Sequence, residues 1–268
     1  MRKSRDINTI IVTGGSGFIG SALIRNLIKN TSNKVINIDC LTYAANHNSL
    51  SDVENAENYF FHQVDICKTS KVSEIIQYYK PEIIMHLAAE SHVDNSIKSP
   101  GKFIETNIFG TFSLLQCSLE YFKNLDKKHR SNFLFHHIST DEVFGDLGND
   151  SKSLFTEETP YNPSSPYSAS KASSDHLVRA WARTYGLPTV ITNCSNNYGP
   201  FQNEEKFIPT IINKAINLSS IPVYGNGKQI RDWLFVEDHI EALIKVIKNG
   251  NEGFTYNIGG NCEAENIE

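Results

Sequence analysis

One stretch near the start of the chain organises the rest of it: Thr9-Ile10-Ile11-Val12-Thr13-Gly14-Gly15-Ser16-Gly17-Phe18-Ile19-Gly20. Its first residues form a β-branched run that predicts a strand, and helical periodicity follows from Ser21 to Ile28. Glycines between a strand and a helix let the backbone approach a pyrophosphate, which binds at the helix N-terminus where free N–H groups and the dipole favour anions. We therefore expect a dinucleotide site at this turn.

A second, a third and a fourth strand extend this pattern. The second strand, Lys34 to Asp39, ends in an acid that can hydrogen-bond adenosine ribose hydroxyls. A carboxylate there repels a 2′-phosphate, which favours NAD over NADP. The alternative is a glycine-rich turn beside a surface aspartate. A third strand, Tyr59 to Ile66, contains Asp65, which either meets the adenine amino group or caps the helix starting near Thr69. A fourth, Pro81 to Ala89, ends in small residues that let a flat cofactor lie close to the backbone.

Polar groups follow a later apolar run, Phe133-Leu134-Phe135, which predicts a buried parallel strand. Within the stretch that follows, His136 to Gly145, the chain carries a hydroxyl, two adjacent carboxyls and a glycine. Ligands of open α/β sheets bind outside the carboxyl ends of the strands, so Thr140, Asp141 and Glu142 are candidates for chemistry. The alternative is a solvated loop with two surface acids.

A second candidate element is the helix that carries Tyr167 and Lys171, which lie four residues apart and so share one face. A lysine ammonium held there would stabilise a phenolate and lower the pKa of the phenol from its usual value of about 10. Tyr167 is thereby a plausible general base near neutral pH, and Thr140 can supply a hydroxyl that positions a substrate oxygen.

Bulk composition bounds the class of protein. The 268 residues are 40% hydrophobic and 21% charged, with a net charge of −5 that argues against a nucleic-acid partner or an anionic membrane surface. The five cysteines are scattered without CxxC spacing, so we expect reduced thiols and a cytoplasmic protein. No apolar run approaches the ~20 residues that span a bilayer, and the basic start runs straight into a strand rather than forming a signal peptide. We expect no metal site, because the histidines lack a ligand pattern.

The order of elements predicts an α/β fold, a Rossmann-type doubly wound parallel sheet with a smaller C-terminal lobe. We place the NAD-binding domain at residues 1–195 and the lobe, with segments returning to the main sheet, at residues 196–268. In the lobe Lys206 and Arg231 are candidate diphosphate contacts or plain surface cations. The helix from Lys102 to Phe122 and the one bearing Tyr167 are apolar on more than one face, so they form a four-helix homodimer interface or simply pack on the sheet.

The glycine turn with Tyr167 and Lys171 resembles the extended short-chain dehydrogenase/reductase superfamily, and within it the dTDP-glucose 4,6-dehydratase family. The matching stretches cover essentially the whole chain, and the Thr140-Asp141-Glu142 triplet is the most specific of them. Further matches are Leu41 to Ala44, His86 to Asp94, Ser164 to Lys171, Asn193 to Pro200 and Arg231 to Trp233.

The resemblance implies a mechanism. Tyr167, activated by Lys171, takes the proton of the sugar 4-hydroxyl while NAD accepts hydride from C4 and later returns it to C6. Glu142 removes the C5 proton, and protonated Asp141 helps the 6-hydroxyl leave as water. Burial and the adjacent carboxylate would keep Asp141 protonated near pH 7. Because neighbouring side chains of a strand point to opposite faces, we expect irregular backbone from Thr140 to Glu142.

The same resemblance assigns contacts. Those expected for NAD are Gly14, Gly17, Phe18, Ile19, Gly20, Asp39, Cys40, Leu41, Thr42, Asp65, Ile66, Leu87, Ala88, Ala89, Ser91, Thr106, Tyr167, Lys171 and Asn197. Those expected for the nucleotide sugar are Ser91, Thr140, Asn196, Lys206, Phe207, Pro222, Val223, Tyr224 and Arg231.

Some positions depart from the family pattern. Asn95 stands where an arginine is usual, Phe144 replaces a tyrosine, Asn203-Glu204 replaces a more apolar stretch, and Cys262 occupies the place of an asparagine that contacts substrate. Relatives continue past the position of Glu268, so we expect an incomplete, more open substrate lobe with exposed apolar surface. Three functions stay open: a dTDP-glucose 4,6-dehydratase, a UDP-sugar dehydratase or epimerase of the same superfamily, and a truncated, non-catalytic NAD-binding protein.

Overall fold

The computed structural model describes residues 5–46, 48–147, 154–221 and 227–265. The chain alternates strands and helices up to residue 194 and then becomes less regular. The strands are β1 (Thr9–Thr13), β2 (Lys34–Asp39), β3 (Tyr59–Gln63), β4 (Ile83–His86), β5 (Leu134–Thr140), β6 (Thr189–Cys194), β7 (Asn196–Tyr198), β8 (Ile230–Phe235), β9 (Thr255–Ile258) and β10 (Glu263–Glu265). The α-helices are α1 (Phe18–Asn30), α2 (Thr69–Tyr79), α3 (Val93–Lys98), α4 (Pro100–Phe103), α5 (Thr111–Asn124), α6 (Lys127–Arg130), α7 (Pro166–Tyr185), α8 (Phe207–Ile216) and α9 (Val236–Asn249).

The main sheet confirms the predicted Rossmann-type α/β fold. Its seven strands lie in the order β3-β2-β1-β4-β5-β6-β9, and every neighbouring pair is parallel. The order reverses between β1 and β4, which makes their carboxyl ends the crevice where such sheets bind a dinucleotide.

Helices cover both faces of this sheet, which is why its central strands are nearly continuous apolar runs. One core forms under α1 and α9, where Val12, Ile24 and Leu243 are fully buried. The other forms under α2, α5 and α7, around Ile36, Leu115 and Phe135. Beyond residue 195, α9 packs on the first of these cores and β9 pairs with β6 at the edge of the main sheet.

A second, smaller sheet lies in the C-terminal part. β8 pairs in parallel with β7 and antiparallel with β10. The helix α8 contributes no buried residue, and its Ile216 is 75% exposed. Apolar surface is thus exposed in this lobe.

Several elements of the structure have other boundaries than the sequence predicts. The third strand ends at Gln63 and the fourth at His86, because the residues after each turn away from the sheet to line a cleft. The long helix predicted from Lys102 is α4 and α5 joined by a π-helical segment, Ile104–Gly110. The stretch Pro222 to Tyr224, expected to contact the nucleotide sugar, lies outside the described residues.

The described helices include none that is both long and apolar enough to cross a membrane. Within the same residues, no group of three or more His, Cys, Asp or Glu side chains could hold a metal ion.

Candidate active site

A cleft of about 500 Å³ opens at the carboxyl ends of the central strands. The glycine turn after β1 and the residues following β2 and β4 line one end of it. The end of β5, the first turns of α7 and the segment after β6 line the other. Groups for binding a dinucleotide and groups for acid–base chemistry therefore share one cavity.

The glycine turn has the shape that a pyrophosphate requires. Gly14 has a φ of +71°, and a Cβ there would lie 2.6 Å from the Ala88 backbone nitrogen. A Cβ on Gly20 would lie 2.2 Å from the Gly14 carbonyl oxygen, so its absence lets α1 pack against the turn. α1 begins after Gly17 without a side-chain cap, which leaves its first N–H groups available to an anion.

Gly14→Ala is expected to weaken both NAD binding and folding. The left-handed backbone alone costs an alanine about 1–2 kcal/mol, and the contact with the Ala88 backbone adds to this cost. Gly186→Ala is the matched control, because Gly186 has a φ of +70° but a Cβ at this position would meet no described atom within 4 Å. Thermal unfolding and NAD titration of both variants check the prediction; equal losses of stability would contradict it.

Two acids line the end of the cleft beside the glycine turn. Asp39, at the end of β2, accepts hydrogen bonds from the Ser16 and Leu41 backbone N–H groups, at 2.9 and 2.8 Å. These bonds hold its carboxylate against the glycine turn. Asp65 accepts from the Cys67 N–H at 2.8 Å, whereas the N-cap of α2 is Lys68. The idea that Asp65 caps this helix is therefore wrong, and its side chain lines the cleft.

Buried hydrogen bonds hold the floor of the cleft. His86 at the end of β4 contacts the Thr13 hydroxyl at 2.8 Å and the Thr111 hydroxyl at 2.9 Å. Asn107, in the π-helical segment, pairs with both backbone groups of Glu90 at 2.8 and 3.0 Å. These bonds fix the Leu87-Ala88-Ala89 stretch below the expected cofactor. Neither the residue type nor the spacing of Asn107 and Glu90 predicts this pair, which joins the π-helical segment to the stretch after β4.

The two acids lie beyond the end of a strand, as their chemistry requires. β5 ends at Thr140, and Asp141–Phe144 form a 3-10 turn. The Thr140 hydroxyl accepts the Glu142 N–H at 3.2 Å and donates to Asp141 Oδ1 at 3.3 Å. The expected irregular backbone is confirmed for Asp141 and Glu142 but wrong for Thr140, which still pairs with Cys194 on β6.

The surroundings of these acids change their protonation. Burial, and then the charge of Glu142, raise the pKa of Asp141 to about 7. Burial also raises the pKa of Glu142, although Arg231 and Lys206 oppose this. Near neutral pH, Asp141 thus keeps a large protonated fraction. Glu142 lines the cleft, whereas Asp141 lies just behind the lining, against Thr140.

Tyr167 and Lys171 lie on one face of α7, as predicted, and both are buried. The expectation that the pKa of Tyr167 lies below its usual value is wrong for this structure. Burial and the nearby Glu142 raise the pKa of Tyr167 well above its usual value, and the hydrogen bond with Thr140 opposes this only in part. The Lys171 ammonium instead donates to the Ile138 carbonyl oxygen at 2.9 Å.

The predicted cations of the C-terminal lobe differ in position. Lys206 lines the cleft, and its ammonium donates to the Ser91 carbonyl oxygen at 3.3 Å. Arg231 is exposed on β8, yet its charge still acts on Asp141 and Glu142. Phe207 stacks on Trp233 with ring centroids 5.8 Å apart and does not line the cleft.

Most of the residues predicted for NAD and substrate line the cleft. Those that do are Gly14, Gly17, Phe18, Ile19, Gly20, Asp39, Cys40, Thr42, Asp65, Ile66, Leu87, Ala88, Ala89, Ser91, Thr106, Thr140, Glu142, Tyr167, Lys171, Asn196, Asn197 and Lys206. Those that do not are Leu41, Asp141, Phe207 and Arg231. Pro222, Val223 and Tyr224 lie outside the described residues.

Three of the departures from the family pattern have the following surroundings. Phe144 is buried and stacks on Phe155 with centroids 5.2 Å apart, so an aromatic ring is what this position needs. Asn95 hydrogen-bonds the Tyr43 hydroxyl, and Tyr43 lines the cleft. Cys262 is exposed, and its backbone N–H donates to Asp232.

Comparison with known proteins identifies the family. A family model described as GDP-mannose 4,6 dehydratase matches residues 11–268. The dTDP-glucose 4,6-dehydratase of Neisseria meningitidis is 59% identical over 97% of this chain, which spans 73% of that protein's length. The crystal structure of dTDP-glucose 4,6-dehydratase from Bacillus anthracis in complex with NAD superposes with a TM-score of 0.87 at 40% identity, covering 97% of this chain and 78% of that one.

A third relative was solved with two ligands bound. The dTDP-glucose 4,6-dehydratase of Streptomyces venezuelae, solved with NAD and dTDP bound, superposes with a TM-score of 0.88 at 39% identity over 97% of this chain and 78% of that one. The family model, the sequence relatives and the structures agree with one another and with the glycine turn, the tyrosine–lysine helix and the acid pair. The chain therefore belongs to the dTDP-glucose 4,6-dehydratase family, whose members are NAD-dependent lyases that remove water from a nucleotide sugar.

Proposed function

We propose that this chain binds NAD and converts dTDP-glucose to dTDP-4-keto-6-deoxyglucose and water. The observation that carries the proposal is that Thr140, Glu142, Tyr167 and Lys171 line the same cleft as the glycine turn. Incubation with dTDP-glucose, followed by the absorbance of the 4-keto-6-deoxy product in alkali, tests it.

The residues around the glycine turn fit NAD. Gly14 and Gly20 leave room that a Cβ would fill, and the uncapped start of α1 is open to a pyrophosphate. Asp39, held by two backbone N–H groups, disfavours the 2′-phosphate of NADP. NAD bound there would supply a hydride acceptor for sugar C4 and a hydride donor for C6, and its oxidised nicotinamide ring would add a positive charge to the cleft that Tyr167 lines.

Tyr167 is assigned as the general base for the sugar 4-hydroxyl. Its side chain hydrogen-bonds Thr140 and lies near Glu142 and Asp141, and Thr140 provides a second hydroxyl for the same substrate oxygen. Because burial keeps the phenol protonated in the protein alone, proton transfer requires positive charge nearby. Lys171 is the chain's own source of that charge.

The adjacent acids divide the elimination between them. Glu142 faces the cleft and is assigned to remove the C5 proton, for which a raised pKa makes a carboxylate a stronger base. Asp141 is assigned to protonate the departing 6-hydroxyl, for which a pKa of about 7 supplies a proton near neutral pH. Two neighbouring carboxyls thus take opposite roles because their environments differ.

The assignment of Asp141 predicts a pH dependence. The step needs Asp141 protonated, so its rate should fall as pH rises above about 7, by about tenfold per unit at the limit. Asp141→Asn should lose this alkaline limb and lower the rate by about 10²-fold or more. The profile of kcat against pH in both proteins is the measurement, and an alkaline limb with an unchanged midpoint in Asp141→Asn would contradict the role.

The division into domains belongs to the same proposal. We infer a NAD-binding domain over residues 1–195 and a partial nucleotide-sugar lobe over residues 196–268. The small sheet of β7, β8 and β10 supports it, as does the reach of Lys206 from the lobe to the Ser91 carbonyl. Lys206 and Arg231 are the cations assigned to the diphosphate.

A second candidate substrate is a UDP-linked sugar, handled by a dehydratase or epimerase of the same fold. The stretch Pro222 to Tyr224, predicted to contact the nucleotide sugar, lies outside the described residues. The acid pair favours a dehydratase over an epimerase, because related epimerases keep the tyrosine–lysine pair but lack two carboxyls at this position. Product from dTDP-glucose but not from UDP-glucose would separate the two.

We also propose a homodimer. The exposed side of α5 and α7 carries an aromatic cluster. The ring centroids of Phe112 and Trp181 lie 5.9 Å apart, and those of Trp181 and Tyr185 lie 5.4 Å apart. Phe109 and Tyr185 are each 48% exposed in the single chain. Two copies packed through these helices would cover the cluster in a four-helix interface. Sedimentation measurements would test this.

A cytoplasmic location is an expectation from the sequence. It rests on the five cysteines, which are unpaired in the structure, Cys117 and Cys194 being buried.

A further inference from the structure

The helix that carries Tyr167 and Lys171 also carries a buried acid one turn further on. Asp175 is fully buried, four residues after Lys171, and therefore lies on the same face of α7 against β5 and β6. Its carboxylate is surrounded by polar partners. The Tyr161 hydroxyl donates to Oδ2 at 2.8 Å, Asn193 Nδ2 donates to the same oxygen at 3.2 Å, and His137 Nε2 lies 3.1 Å from Oδ1.

The mechanism assigned above uses none of these partners. A buried carboxylate is costly unless a group of opposite charge lies nearby. Lys171 is that group. It is buried, and its ammonium donates to the neutral Ile138 carbonyl oxygen rather than directly to an acid. We propose that Asp175 is a positioning residue whose carboxylate is the counter-charge that keeps Lys171 cationic beside Tyr167.

The other titratable groups around Lys171 cannot take this role. They are His86 on β4, His137 on β5, Cys194 on β6 and Tyr167 on α7 itself. Burial lowers the pKa of His137 to about 4 and that of His86 well below its usual value, so both rings are neutral at pH 7. Burial raises the pKa of Cys194 to about 12 and keeps the thiol neutral.

Lys171 and Asp175 each favour the ionised form of the other residue. Burial lowers the pKa of Lys171. Among the neighbouring groups, the negative charge of Asp175 is the largest influence that raises it again. Burial alone would raise the pKa of Asp175, but His137, Lys171 and Tyr161 outweigh it, so the carboxylate stays ionised.

The same carboxylate supports the strand end that carries the acids. Asn193 donates from one amide nitrogen to Asp175 Oδ2 and to the Thr140 carbonyl oxygen, at 3.2 and 3.0 Å. On the outer side, Arg179 donates to the Tyr161 hydroxyl at 2.7 Å. Asp175 thus occupies the centre of a buried hydrogen-bond network that reaches Thr140 through Asn193, and Lys171 lies one helical turn before it on α7.

The test is a titration of Lys171 in the NAD-saturated protein. With ¹³C-labelled lysine, the Lys171 ε-carbon resonance is the one missing from Lys171→Arg, and its midpoint is followed with pH. In Asp175→Asn, which keeps the shape but removes the charge, the midpoint should fall by about one to three pH units. Tyr161→Phe is the matched control: it removes one hydrogen bond from Asp175 but leaves its charge, so the midpoint should move much less.

An unchanged midpoint in Asp175→Asn, or an equal shift in both variants, would overturn the proposal. A readout in catalysis accompanies it: the deficit of Asp175→Asn in kcat should shrink as pH falls and Lys171 regains its proton, whereas a merely structural role would lower kcat evenly. The proposal rests on the proposed function only for the base role of Tyr167. A shifted midpoint in a protein without dehydratase activity would leave the charge pair standing and reject the reaction.

A second comparison covers the case in which Asp175→Asn does not fold. Lys171→Met leaves the Asp175 carboxylate buried without its cation, and Lys171→Met/Asp175→Asn removes both charges. The double variant should unfold at a higher temperature than the single one, because an unpaired buried charge is more destabilising than a neutral pair. Equal or lower stability of the double variant would contradict the pairing.

Discussion

Replacing Glu142 with glutamine is expected to lower product formation by about 10²–10⁴-fold while cofactor reduction on mixing with dTDP-glucose stays measurable. Glutamine has nearly the shape of glutamate but cannot accept the C5 proton. Glu142 lines the cleft through the 3-10 turn after β5, and its N–H is held by Thr140, so the substitution should not disturb the backbone. The reaction should then stop after the first step.

Stopped-flow absorbance of reduced NAD and the alkaline assay for the 4-keto-6-deoxy product separate the two steps. Glu157→Gln is the matched control, because Glu157 accepts a backbone N–H from Asn257 outside the cleft. That variant should form product at the rate of the unmodified chain. Full product formation by Glu142→Gln would remove Glu142 from the mechanism.

Tyr167→Phe is expected to lose product and cofactor reduction together, by about 10²–10⁴-fold. The phenol is the proton acceptor for the sugar 4-hydroxyl, so without it the oxidation at C4 does not begin. The Tyr167 ring packs edge-on against Phe103 with centroids 6.3 Å apart, and a phenylalanine preserves that contact. The substitution therefore removes the proton acceptor while the surrounding packing is kept.

The contrast between the two variants is the informative result. Tyr256→Phe removes a tyrosine hydroxyl that accepts the Asn251 N–H, away from the cleft, and should leave both steps unchanged. If Tyr167→Phe still reduced NAD while failing to form product, the tyrosine would act in the elimination and the assigned order of steps would be wrong.

The sequence predicted the fold and much of the site because each signal was local. Gly14 and Asp39 mark the turn and the strand end by residue type alone, and their spacing follows from the strand–turn–helix order. The Tyr167–Lys171 pair follows from helical period. The raised pKa of Asp141 follows from its neighbour Glu142 and from burial, both of which a strand end implies.

The features that sequence reasoning missed depend on contacts between distant segments. Asn107 reaches Glu90 only because a π-helical turn interrupts the predicted helix. The pKa of Tyr167 rises because its ring is buried and because the acids after β5 lie close to α7, and neither effect is visible in the helical spacing of Tyr167 and Lys171. Asp175 differs from these residues. The sequence shows that it follows Lys171 by four residues on one helix face, but it does not show that Asp175 is buried.

The most direct test is incubation of this chain with NAD and dTDP-glucose, with UDP-glucose in parallel, followed by the alkaline absorbance of 4-keto-6-deoxy sugar. We expect product from dTDP-glucose, with no net consumption of NAD because the hydride taken from C4 returns to C6. Bound NAD without turnover of either sugar nucleotide would contradict the account and leave a non-catalytic NAD-binding protein.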